Sequence, residues 1–148
     1  MPRCLAETNL AWMRYALDDT RMAEMRDEID RINVLGDRSP GCLWRFETDA
    51  GHATDVRVLF NLTTWRSLDD LRGYVYHSEH VAFFRRRREW FLPPPREPLA
   101  LWWTAEGARP SVDDAMGRLE RLWRDGPSVE AFTLKRAYGP DGRALGFT

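Results

Sequence analysis

The feature that most narrows what this chain can become is the order in which two hydrophobic periods alternate along it. Apolar residues at every second position mark a strand, and apolar residues at steps of three and four mark one face of a helix. Residues 4–13 read as a first strand. Asp18 or Asp19 can cap the helix that follows, in which Met22, Met25, Ile29 and Ile32 share a face. Ser39-Pro40-Gly41 breaks it. Residues 42–48 and 55–63 read as a hairpin of two strands around the turn Asp49-Ala50-Gly51-His52, with Val56, Val58, Phe60 and Leu62 alternating toward one face. Ser67 and Asp70 form a variant capping box, and Leu68, Leu71, Tyr74 and Val75 form the apolar face of the second helix. Helical character runs on, with a break near His77-Ser78, to Trp90-Phe91, where Pro93-Pro94-Pro95 stops it. Residues 98–104 form a fourth strand, apolar enough to be covered on both sides.

The order β-α-β-β-α-β is the split pattern of a ferredoxin-like α+β sandwich, with both helices on one face of the sheet. Its other face needs a cover. Pairing two sheets about a twofold axis is the simplest one, so a homodimer closing a dimeric α/β barrel is expected. The reading is one domain over 1–148, a core at 1–106 and an extension at 107–148. In the extension, Ser111 caps a helix with Asp114 at the box position. Val112, Ala115, Met116, Leu119, Leu122 and Trp123 stripe it, and Gly126-Pro127 ends it. Residues 131–138 read as a last strand and Gly139-Pro140-Asp141-Gly142 as a turn. Spacing alone leaves open whether the extension packs on its own sheet or on a partner's.

Charge excludes some partners. With 22 basic and 23 acidic residues the formal net charge is −1, without the basic surplus that nucleic acid or an anionic membrane surface requires. No apolar run approaches a membrane span, and the start of the chain lacks the apolar segment of a signal peptide, so the expectation is cytoplasmic. Cys4 and Cys42 match no zinc or redox spacing and read as reduced thiols. Seven tryptophans are a heavy aromatic load for 148 residues. They suit a core, an interface, or a flat pocket for a planar ligand.

Candidate chemistry gathers in Tyr74-Val75-Tyr76-His77-Ser78-Glu79-His80. Histidine titrates near neutrality and is the natural general base. On a continuous helix His77, His80, Phe84 and Arg88 lie along one stripe, with Tyr74 in reach across a bent turn. A histidine base beside a tyrosine hydroxyl can remove a proton and hold the developing oxyanion; a helix-end histidine with one hydrogen bond fits the same spacing. His77 and His80 lack a third ligand at motif spacing, so no metal is expected. A haem needs one axial histidine and stays open. In Arg85-Arg86-Arg87-Arg88 four side chains point about 100° apart. The expectation is a solvated face with Arg85 pairing Glu89 and one inward arginine, Arg88. Asn61 and Trp65 close the third strand, and Asn9 lies on the strand beside it; their amides serve structure or a ligand. No phosphate loop or nucleophile elbow is present, which disfavours nucleotide-dependent chemistry.

These residues carry a resemblance. Asn61-Leu62-Thr63-Thr64-Trp65-Arg66-Ser67, followed by a short helix and His77-Ser78-Glu79-His80, resembles the antibiotic-biosynthesis monooxygenase group. Over nearly its full length the chain is similar to an uncharacterised bacterial family near that group, through Trp65-Arg66-Ser67, Tyr76-His77-Ser78-Glu79-His80 and Arg86-Arg87-Arg88-Glu89-Trp90-Phe91. The resemblance to cofactor-free quinone-forming monooxygenases implies that Asn61, Trp65 and Asn9 bind a polycyclic phenol. The resemblance to plant polyketide cyclases implies that Tyr74 and His80 of Tyr74-x-x-His77-x-x-His80 serve an aldol closure. The helical extension and the arginine run depart from both groups. The leading expectation is therefore a cofactor-independent monooxygenase or cyclase acting on a planar phenolic or polyketide-type substrate. His80 would be the base, Tyr74 the oxyanion donor, and Asn9, Asn61, Trp65, His77, Phe84 and Arg88 the binding residues. The alternatives are a non-catalytic dimeric ligand-binding protein and a haem-binding member of the same barrel class.

Overall fold

In the computed structural model, which describes residues 2–47, 53–55, 57–77 and 85–145 (backbone alone at 53–55 and 77), the central strand comes first in the chain. Strand β1 (Arg3–Trp12) is paired along both edges. On one side lies β4 (Val58–Trp65), in a register that runs from Leu5 opposite Trp65 to Trp12 opposite Val58. On the other side lies β5 (Leu99–Ala105), with Leu5 opposite Trp103 and Asn9 opposite Leu99. Two short strands, β2 (Cys42–Arg45) and β3 (Ala53–Asp55), share the outer edge of β4. Every pairing is antiparallel and the spatial order is β2-β4-β1-β5, so the fold is the ferredoxin-like α+β sandwich expected from the element order.

The hairpin differs from the expectation in one respect. Asp55 lies opposite Val58, so the chain reverses between them. The turn signal at 49–52 lies outside the described residues. Register makes 53–55 the end of the outgoing strand rather than the start of the returning one, and β4 begins at Val58.

Alternation divides the sheet into two apolar faces. Leu5, Leu59, Trp65 and Leu101 point to the side covered by helices α1 (Ala23–Arg38) and α2 (Leu68–His77). A short 3-10 turn at Thr20–Met22, capped by the Asp19 side chain, leads into α1. Ser67 caps α2: its hydroxyl accepts the Asp70 N–H at 3.1 Å and donates to the Asp70 carboxylate at 2.9 Å. A single helical turn, α3 (Arg87–Trp90), precedes β5 and buries Trp90 against Met13, Met22 and Met25.

On the other face, Ala6, Leu10, Phe60, Leu62, Ala100 and Trp102 pack against Ala115, Leu119 and Leu122 of helix α4 (Val112–Asp125). The Ser111–Asp114 capping box forms as expected, with the Asp114 N–H donating to Ser111 Oγ at 3.0 Å. The extension therefore packs on its own sheet. The expected homodimer rests on a bare sheet face, but α4 covers that face over Ala100 and Trp102, so these residues need no second copy to bury them.

The expected strand at 131–138 is reduced to isolated bridges. Phe132 and Leu101 exchange both backbone hydrogen bonds at 2.8 Å. Beyond it the Thr133 hydroxyl accepts the Arg136 N–H, a local turn that competes with the ladder. The chain then bends over the β5 edge, and Leu134, Ala137 and Tyr138 join the helix-covered cluster around Leu5 and Trp65. Cys4 and Cys42 are free thiols. No helix among the described residues is long and apolar enough to cross a membrane.

Two glycines separate backbone strain from helix propensity. Gly41 has φ +83°, and a Cβ there would sit 2.3 Å from the Asp70 carboxylate that serves the α2 cap. Gly117, inside α4, has open space where its Cβ would go. Gly41→Ala is expected to cost about 1–3 kcal/mol and Gly117→Ala to add about 0.5–1 kcal/mol, checked by urea unfolding of both variants.

Candidate functional site

The helix-covered face is apolar at both of its ends and polar between them. Leu5 and Trp65 mark one end and Ala11 and Leu59 the other. Between them the β1–β4 register sets Glu7 opposite Thr63 and Asn9 opposite Asn61. Because side chains alternate along each strand, all four residues point the same way.

They form one connected chain. Trp65 Nε1 donates to Thr63 Oγ at 2.9 Å, and the Thr63 hydroxyl donates to Glu7 Oε2 at 2.7 Å. Asn9 Nδ2 donates to Glu7 Oε1, and Asn61 Nδ2 donates to Asn9 Oδ1 at 3.1 Å. Glu7 is only 5% exposed, whereas Asn9 and Asn61 are half-buried. A buried carboxyl thus forms the back of the site and two amides form its accessible floor. Burial pushes the Glu7 carboxyl above the usual glutamate range, and the hydrogen bonds from Asn9 and Thr63 offset part of that shift.

Tyr74 forms a wall. It sits on the sheet-facing side of α2, its ring 5.3 Å from Trp65 at 31°, and its hydroxyl reaches the Ile32 carbonyl of α1 at 3.4 Å. Gly36 lies beside it, a Cβ there falling 3.4 Å from the phenol oxygen, at van der Waals contact. Burial first, and the nearby Glu7 carboxyl second, raise the Tyr74 phenol well above its ordinary value. It therefore stays protonated and able to donate at neutral pH. Cys42, packed against the same cluster, is also pushed up by burial.

The structure brings Asn9, Asn61, Trp65 and Tyr74 together. His80 and Phe84 lie outside the described residues, and His77 is described only as the last residue of α2. Arg88 is not the inward arginine: its side chain is exposed, and its carbonyl accepts from Arg14 Nε at 2.7 Å. Glu89 pairs not with Arg85 but with Arg86, which also binds Glu24 at 2.7 Å and lies over the Trp90 ring. On this short turn the three-residue step is what brings an arginine to Glu89. Among the described residues no three His, Cys, Asp or Glu side chains stand close enough to hold a metal ion.

Sequence reasoning missed Glu7 and Thr63. The signal was present: Glu7 falls at the second-residue step between Leu5 and Asn9, on the inward face of a strand with apolar neighbours.

One family model, described as "Domain of unknown function (DUF3291)", matches residues 4–145. No curated protein matches the sequence. Among solved structures, the chain is similar to Rv0793 from Mycobacterium tuberculosis (15% identity, TM-score 0.52), covering 73% of this chain and 99% of that one. It is also similar to the NE2512 protein of unknown function from Nitrosomonas europaea (9%, 0.52, covering 74% and 95%). A third is SnoaB, a cofactor-independent oxygenase from Streptomyces nogalater (12%, 0.46, covering 76% and 98%).

The buried carboxyl gives a pH signature. Its folded-state pKa is raised above the ordinary 4.5, so the folded chain keeps a proton that the unfolded chain has already lost. That contribution is present in full below 4.5 and disappears as pH rises through the folded value. Glu7→Gln, which cannot ionise, is expected to gain in melting temperature relative to wild type as pH rises through this window. Parallel melting curves at all pH values would show that Glu7 does not titrate there.

Proposed function

The chain belongs to the DUF3291 family, and from that premise we propose that it is a small-molecule enzyme. The reading is a cofactor-independent monooxygenase or cyclase acting on a planar phenolic or polyketide-type substrate by proton abstraction. One observation carries it: a half-buried amide pair, Asn9 and Asn61, forms a polar floor on a helix-covered sheet face, next to the buried Glu7–Thr63 pair and on the side of half-buried Tyr74. A flat aromatic molecule suits such a face, and the amides fix its polar edge.

The first step common to oxygenation and cyclisation is loss of a proton to give a stabilised carbanion or phenolate. Tyr74, kept protonated by burial, would turn its one O–H from the Ile32 carbonyl to the oxygen on which negative charge develops. His80, three residues beyond the end of α2 in sequence, is the proposed base. A binding-only reading has its own support: both oxygens of Glu7, the one carboxyl described in the site, are already engaged by Asn9 and Thr63.

Turnover of a panel of anthrones and poly-β-ketone analogues separates the two. His80→Ala is expected to lower kcat by about 10²–10⁴-fold and Tyr74→Phe by about 10²-fold, with little change in substrate affinity for either. Equal rates in wild type and His80→Ala would remove His80 as the base. Tight binding with no turnover by any form would make the protein a binding module.

A further inference from the structure

The hydrogen bonds of the polar chain converge on Glu7 from both sides. An indole can only donate, so Trp65 uses a lone pair of Thr63 Oγ and leaves the Thr63 proton for Glu7 Oε2. Glu7 Oε1 takes the Asn9 N–H. With its nitrogen committed, Asn9 turns its oxygen to Asn61 and accepts from Asn61 Nδ2. The oxygen of Asn61 is the last link. No described residue donates to it, and the one buried side-chain polar atom without a partner among the described residues is Arg121 Nε. Asn61 Oδ1 therefore faces accessible space.

We infer that Glu7 is a positioning residue that sets the direction of both amides, so that the site presents an acceptor, Asn61 Oδ1, and selects a ligand carrying a free hydroxyl over the same molecule with that hydroxyl capped. The inference rests on reading the Asn9–Asn61 floor as a small-molecule site. Its physical basis is that an amide turned by 180° keeps its shape but exchanges donor for acceptor. Only a fixed acceptor beneath Asn9 distinguishes the two orientations, and Glu7 supplies it. The direction is fixed by the ionised carboxylate, whose two oxygens only accept; a neutral carboxyl carries its proton on one oxygen and donates from there. A glutamine has an acceptor at one end only, so it cannot accept from both Thr63 and Asn9; a leucine accepts from neither.

The test is a tryptophan-fluorescence titration of the full chain with a hydroxyanthrone and with its O-methyl ether. At a pH where Glu7 is ionised, wild type is expected to bind the hydroxyanthrone about tenfold more tightly than the ether. In Glu7→Leu the ratio is expected to fall to about one, through weaker binding of the hydroxyanthrone alone. Should Glu7→Leu not fold, Asn9→Leu severs the same chain one link further on and reads the same ratio. A leucine variant that binds with the wild-type ratio, or a wild type that binds both probes equally, would overturn the inference while leaving the small-molecule reading standing. A wild type that binds neither probe would overturn both.

Discussion

A carboxyl in the middle of a central strand, shut off from water, has to be met by donors or left neutral. Glu7 is both raised in pKa and doubly bonded, and much of the surrounding order follows from that need. Thr63 must lie opposite Glu7, which fixes the register between β1 and β4. A slip of one residue would carry Glu7 to the α4 face, among Ala100 and Trp102, where the described core is apolar. Trp65 and Asn9 are drawn in because each has an N–H that this chain satisfies. The polar chain that specifies the sheet register is thus the same one that builds the floor of the site.

The helices complete that arrangement through Tyr74. One side chain touches the carbonyl of Ile32 in α1, approaches Gly36, and stacks on Trp65 of the sheet. It ties two helices and a strand together at the edge of the polar floor, so packing in the aromatic wall and geometry of the site are coupled. A methyl group at position 36 would come into van der Waals contact with the phenol.

Much of this was legible in the sequence, and the unread parts have identifiable causes. Element order, both serine caps and the α4 stripe follow from period and capping chemistry, which are local. Asn9, Asn61 and Trp65 could be grouped because strand neighbours follow from the element order. Glu7 was passed over because a lone carboxylate on a strand reads as solvent-facing until the sheet register shows what lies opposite it. Arg88 is assigned an inward role from helical spacing, but its side chain is exposed, and spacing alone does not show which side of a helix meets the protein. The bare sheet face was inferred from the core alone; the extension that covers it gives a helix signal in the sequence without an address.

That address changes how the sheet is protected. A face buried between two copies is exposed whenever the copies separate, and its protection weakens as the protein is diluted. Here Trp102 is covered by a helix joined to its own strand through a short connection, residues 106–111. The effective concentration of that cover is set by tether length and not by the amount of protein in solution. Dilution therefore leaves this half of the hydrophobic core intact.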